Sequence, residues 1–254
     1  MAQSGDYTYT QSGGNATITA YTGAGGAITI PSTLDTYPVV AIGTTAFYGK
    51  TPTSVIIPNS VTSIGSMAFY HIVGLTSVTI GNGVVSIGAS AFEGCSGLTS
   101  VTIGSGVTSI GADAFHDCTV LTGLIIPNSV TSIGGSAFAS CTSLTALSIP
   151  NSVTSIGNTA FYNCTGLTTV IIGSGVTSIG NNVFLDCSAL VTAHFHGNAP
   201  ATWGTTVFSG VHAGFVIYYY TGATGWTNPF NTYTTAAESP PVTVKPNFIP
   251  FFWA

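Results

Sequence analysis

The sequence predicts a mainly β solenoid, and three observations carry that prediction. Cys95, Cys118, Cys141, Cys164 and Cys187 recur at a constant interval of 23 residues. Aligned on them, Ile64, Ile87, Ile110, Ile133, Ile156 and Ile179 form one column, each followed by glycine, and Phe69, Phe92, Phe115, Phe138, Phe161 and Phe184 form another. Ahead of each isoleucine column position lies a short alternating stretch such as Val101-Thr102-Ile103, closed by turn residues. A fixed period of this size builds an array whose units bury a face against their neighbours, not a globule around a central cleft.

The first 27 residues lack the repeat. Tyr7 to Thr10 and Asn15 to Tyr21, bracketed by glycines, read as two strands that cap the first coil. A degenerate unit follows from Ile28 to Thr51, and full units then begin at Pro52, Leu75, Leu98, Leu121, Leu144 and Leu167, with a partial one from Leu190. In the unit starting at Leu98, residues Leu98, Val101 and Ile103 end a core-facing strand, and Gly104 to Gly106 turn the chain where sister units use Pro-Asn-Ser. Val107 to Ile110 carries it back, and Ala114, Phe115 and Cys118 fall at the spacing of one short helical turn per coil. The first strands are expected to stack in register into one continuous parallel sheet. The resulting division is an N-terminal β cap at 1–27, a solenoid of about seven to eight coils at 28–213, a C-terminal capping module at 214–237 and a Pro-rich apolar tail at 238–254.

Composition narrows the function classes. Hydrophobic residues make up 45% of the 254, which suffices for a core, but charged residues only 4%: two lysines, Lys50 and Lys245, no arginine and seven acids, for a net charge of −5. A soluble surface is ordinarily about a quarter to a third charged. Here Thr, Ser, Gly and Asn cover it, so repulsion between molecules is weak and self-association is less opposed than usual. Nucleic-acid binding is excluded, since neutralising phosphates takes clustered Lys or Arg. No apolar run approaches the ~20 residues that cross a bilayer, so no membrane insertion is expected. The beginning MAQSGDYTYT has neither a basic start nor an apolar run and does not read as a signal peptide. One thiol per coil with parallel side chains is poor geometry for disulfides, so the cysteines are expected to fill the core as small hydrophobes. The sequons at Asn15 and Asn163 are chance matches in a Thr-rich chain.

The string LxxVxIPNSVTSIGxxAFxxC, six times in register, resembles the unit of the BspA-like leucine-rich repeats over about residues 28 to 208. Gly197 to Pro200, Val216 to Tyr219 and Gly222 to Trp226 are similar to the module that closes such repeats. The resemblance implies a curved, right-handed leucine-rich-repeat solenoid of the cell surface or extracellular space that binds other proteins, matrix or neighbouring cells. It implies no catalytic residue.

Enzymatic constellations are correspondingly weak. The seven acids are scattered, no G-x-S-x-G elbow with a placed His and acid appears, and there is no phosphate loop. His194 and His196 share a strand face and could hold a metal if His212 joined them, although a surface pair is the simpler reading. No cofactor is expected. Interaction surfaces are more informative. After the core phenylalanines comes an outward column containing Tyr48, Tyr70, His116 and Tyr162, a strip rich in large, stiff contact area. Outward on the first strand stand Ile56, Ile125, Ile171 and His194, an apolar sheet face of the kind that marks interfaces. Thr62, Thr108, Thr131, Thr154 and Thr177 form a hydroxyl ladder that weakly resembles an ice-binding face. The tail ends in Phe248, Ile249, Phe251, Phe252 and Trp253, apolar groups suited to packing over the last coil or onto a neighbouring subunit.

The function expected from all this is non-enzymatic adhesion or protein binding at a surface. Its partners are proteins, including copies of itself as a homo-oligomer or polymer. A structural subunit of an extracellular filament or virion appendage is the alternative, and ice binding a distant one.

Overall fold

A computed structural model describes residues 1–228 and 230–239; the tail residues Phe248, Ile249, Phe251, Phe252 and Trp253 lie outside them. The described chain winds as a parallel β-solenoid with three backbone columns around one continuous core. The column built from the Ser-Ile pairs is the unbroken one. From Asn15–Tyr21 through Tyr37–Ile42, Ser63–Ile64 and each later pair to Thr202–Trp203, nine strands lie parallel, in register but for one shift between Ala16 and Thr17. The N-terminal strand Asn15–Tyr21 supplies a rung that the repeat alone does not reveal.

The Ile-Gly column has a direct physical cause. Each glycine amide donates to the isoleucine carbonyl of the preceding coil, as from Gly65 to Ile42 at 2.7 Å and from Gly134 to Ile110 at 2.9 Å. At those glycines the neighbouring backbone comes so close that an added Cβ would sit 2.5–2.7 Å from it, for example 2.6 Å from the Thr44 nitrogen at Gly65 and 2.5 Å from the Gly135 nitrogen at Gly157. Only a residue without a side chain lets coils stack there.

The first-strand column departs from the expected continuous sheet. Gly26–Thr29, Pro52–Ile57, Ser77–Ile80 and Ser100–Thr102 form one sheet, while Ala146–Ile149, Thr169–Ile172, Thr192–Phe195, Val216–Tyr220 and Thr235–Glu238 form another. The coil between them contributes a single bridge, Ser100 to Gly123. Where neighbouring coils carry Ser100 or Ala146, this coil has glycine, which weakens a strand by its backbone entropy and by giving nothing to pack.

The third column corrects the expected helical turn: no described residue is helical, and the Ala-Phe segment is a run of tight turns. Asp113, Phe115 and Asp117 donate their N–H groups to the carbonyls of Gly135, Ala137 and Ala139 in the next coil, at 2.8–3.0 Å. Amides committed to the next coil are not available to an i→i−4 ladder within their own. The geometry instead takes left-handed residues, Asp113 and Asp117 both at φ 56, and Ser, Thr, Asn or Asp occupies most equivalent positions. In this column the coil-to-coil donors point forward, opposite to the glycine amides of the Ser-Ile column.

The phenylalanines stack as a spine. Phe47, Phe69, Phe92, Phe115, Phe138, Phe161, Phe184 and Phe208 follow one another with centroids 4.6–5.4 Å apart. Tyr21 and then Tyr7 continue the stack into the N-terminal cap, a three-stranded antiparallel sheet of Ala2–Ser4, Tyr7–Ser12 and Asn15–Tyr21. At the other end Phe208 meets Phe215 and Tyr233, and Phe195, Trp203, Trp226 and Phe230 close the core. Caps of this kind are what an open-ended solenoid core requires. The five cysteines are all free and buried, as the spacing implied.

Candidate functional site

Because every core position repeats, what varies lies outside. On the first-strand column, cross-strand register sets Ile56 beside Thr79 and Thr79 beside Thr102. Beyond the break it sets Ser148 beside Ile171, Ile171 beside His194, and His194 beside Tyr218. Ile125 stands in the break itself. Ile56, Ile125 and Ile171 are 48%, 82% and 36% exposed, so the most exposed large aliphatic group of this face sits where the sheet opens. The alternation that buries Leu124 and Ile126 forces Ile125 outward.

The same face turns polar and aromatic toward its C-terminal end. His194 stacks on Tyr218 at 4.9 Å and His196 on Tyr220 at 4.3 Å. The His194 Nδ1 lies 3.0 Å from a Glu238 carboxylate oxygen, tying the last rung across the intervening strand. A shallow hollow of about 330 Å³ is lined by Thr169, Ile171, His194, His196, Tyr220 and Glu238. Burial holds the His196 imidazole below its ordinary value, against the pull of Glu238. His212 does not join the pair, since its Nδ1 accepts the Gly214 N–H within its own loop. The Glu238 partnership was not legible in the sequence, where the two residues stand 44 apart.

The aromatic strip is only partly assembled. Tyr48 and Tyr70 approach to 6.1 Å, and Tyr70 packs on His71 at 4.3 Å. His116 is drawn into an acidic group, with Glu93 at 4.0 Å, Asp113 at 3.8 Å and Asp117 at 3.6 Å. Ala139 is buried and separates this group from Tyr162. Surface ion pairs of this kind contribute about 0–1 kcal/mol, so the cluster orients His116 more than it stabilises the coil.

The exposed threonine ladder is engaged by the protein's own backbone. Thr62, Thr108, Thr131, Thr154 and Thr177 donate their hydroxyl protons to carbonyls of the preceding coil at 3.0–3.3 Å. The turn asparagines act in the same way, Asn59 accepting the Asn82 N–H and Asn151 the Ser174 N–H, both at 2.8 Å. These polar columns stitch coils together. No helix among the described residues is long and apolar enough to cross a membrane.

The model of the BspA type leucine rich repeat region matches in six copies over residues 40–141 and 108–213. The chain belongs to the BspA-type leucine-rich repeat family. The BspA-type chain is also similar to a leucine-rich repeat protein of T. pallidum, with 31% identity over 82% of this chain and 88% of that one and a TM-score of 0.61. A leucine-rich repeat protein from Bacteroides ovatus shares the fold at 21% identity, over 92% of this chain and 75% of that one, with a TM-score of 0.51. No curated protein matches the sequence.

Proposed function

We propose that this BspA-type chain is a non-enzymatic protein of a cell surface or the extracellular space that binds other proteins through the outward face of its first-strand column. The supporting observation is Ile125, 82% exposed at the opening of that sheet, with Ile56 and Ile171 outward in the same row beyond the intervening Thr79, Thr102 and Ser148. Apolar groups held outward on a rigid scaffold act as anchors for a partner's side chains, and the polar, aromatic end at His194 to Glu238 supplies orientation. The nearly uncharged surface adds little long-range steering, so recognition rests on contact shape. Adhesion to matrix or to a neighbouring cell is the role this surface fits.

Binding of the full chain to immobilised collagen and fibronectin and to fixed epithelial cells, measured by interferometry and by adhesion counts, tests the reading. Ile125→Asp is expected to weaken binding about tenfold or more, while Tyr70→Ser with Tyr162→Ser leaves it unchanged. Loss of binding in the tyrosine variant alone would move the site to the other strip. A chain that binds none of these targets refutes the adhesive reading.

A further inference from the structure

We propose that copies of this chain join head to tail within one sheet, the strand Ala2–Ser4 of one copy pairing in parallel with Thr202–Trp203 of the next. Among the described residues the Ser-Ile sheet has two open edges. Among the described residues, Ala2–Ser4 pairs only with Tyr7–Ser12, and Thr202–Trp203 only with Ser178–Ile179. Two successive antiparallel pairings bring Ala2–Ser4 back to the direction of the solenoid strands, so both edges run the same way. Neither strand carries a charge, a proline or a bulge, the devices that ordinarily blunt an exposed edge.

Side-chain alternation selects one register. Gln3 and Thr202 both point outward and are exposed, whereas Ala2 and Ser4 lie opposite the inward Tyr9 and Tyr7, and Trp203 lies beside the inward Ile179. Keeping the faces aligned sets Gln3 beside Thr202 and Ser4 beside Trp203. The landing site is already hollow: an open recess of about 690 Å³ lies over Trp203, Thr205 and Thr206, walled by Asn231 to Tyr233. The Thr206 N–H points forward with no acceptor among the described residues, while the Phe208 N–H is taken by the Tyr233 hydroxyl.

The stepped ends also fit. At the C-terminal end the first-strand column runs two rungs, Val216–Tyr220 and Thr235–Glu238, beyond the coil of Thr202–Trp203. At the N-terminal end the Ser-Ile sheet runs three rungs beyond the coil of Gly26–Thr29. Docking therefore laps one step over the other and leaves room for a single strand between Thr235–Glu238 and Gly26–Thr29. A contact that joins different patches by translation does not close, so it propagates into rods.

Sedimentation velocity and negative-stain imaging of the full chain over a concentration series test the joint. The expected result is concentration-dependent rods with an axial repeat of about 53 Å, eleven rungs at ~4.8 Å. Gln3→Lys with Thr202→Lys places like charges side by side and is expected to raise the dissociation constant about tenfold or more. Gln3→Glu with Thr202→Lys is expected to restore it. Both positions are exposed, so the variants should melt like the parent. A monomer at every concentration, or rods indifferent to the paired lysines, overturns the joint. It stands apart from the binding face: a monomer that still holds matrix proteins sinks the joint alone, and rods without Ile125-dependent binding sink the face alone.

Discussion

The cysteines show how a residue's chemistry is set by its rung. Each Sγ–H points at the phenylalanine carbonyl of the preceding coil, from Cys95 to Phe69 at 3.1 Å through Cys187 to Phe161 at 3.1 Å. Burial pushes the Cys95 and Cys141 thiols up to about 12, and Cys118 is raised for the same reason. Cys164 is raised as well, by the neighbouring Cys187 thiol first and then by burial. A thiol whose folded value is raised contributes fully below the unfolded value of ~8.5 and loses that contribution as pH climbs toward the folded one. Unfolding free energy should therefore fall steeply from about pH 9, each such thiol steepening the slope by about 1.4 kcal/mol per pH unit. Urea titrations of Cys95→Ser and Cys141→Ser across pH 7 to 11 should show the slope relaxing by that amount per substitution. Unchanged slopes would mean the thiols titrate alike in both states. The regular spacing made their burial legible, but the carbonyl that each thiol addresses comes from another coil.

At the scale of the element, Gly123 accounts for the split sheet. Its φ is not left-handed, and an added Cβ would meet nothing within 4 Å, so a side chain costs no strain there. Gly123→Ala, matching Ala146 in the following coil, is expected to add about 0.5–1 kcal/mol of stability. It should also slow amide exchange at Leu124, Ile125 and Ile126 as pairing forms. Exchange as fast as in the parent would place the cause of the break elsewhere in the coil. The same substitution probes the binding face, because closing the sheet changes the setting of Ile125 without removing it. The glycine was visible in the sequence, yet the break was not: a strand's alternation is intact at Leu124 to Ile126, and pairing depends on coils 23 residues away.

Across the whole molecule the phenylalanine spine couples each coil to the next. Phe115 stacks on Phe92 at 5.1 Å and on Phe138 at 5.3 Å, so truncation leaves a cavity and removes two ring contacts. Phe115→Ala is expected to cost about 3–5 kcal/mol. Because a solenoid couples only adjacent units, the loss should also uncouple the two halves of the rod. Trp203 and Trp226 both sit at the C-terminal end, so their fluorescence reports that half while circular dichroism reports the whole chain. Denaturant transitions by the two probes should separate in Phe115→Ala and coincide in the parent. Coincident transitions in the variant would show that other columns, the amide ladder above all, carry the coupling.

The period alone determined the coil, its core residues and their order along the axis. Like positions stack, so aligning the repeats is equivalent to stating which side chains touch. It also separated rows that face inward from rows that face out, which is why Ile56, Ile125 and Ile171 were recognisable as a surface. Tertiary structure decided what the period leaves open, because the backbone groups of the strands and many of those in the turns find their partners in a neighbouring coil. The forward-pointing amides of Asp113 to Asp117 replaced a helical turn with a left-handed turn run, and pairing across Gly123 failed where the pattern was unbroken. Chain closure carried Glu238 back to His194, and the two caps ended on different columns, which produced the stepped edges at Ala2–Ser4 and Thr202–Trp203. Hydrogen bonds made between coils have no signature within one.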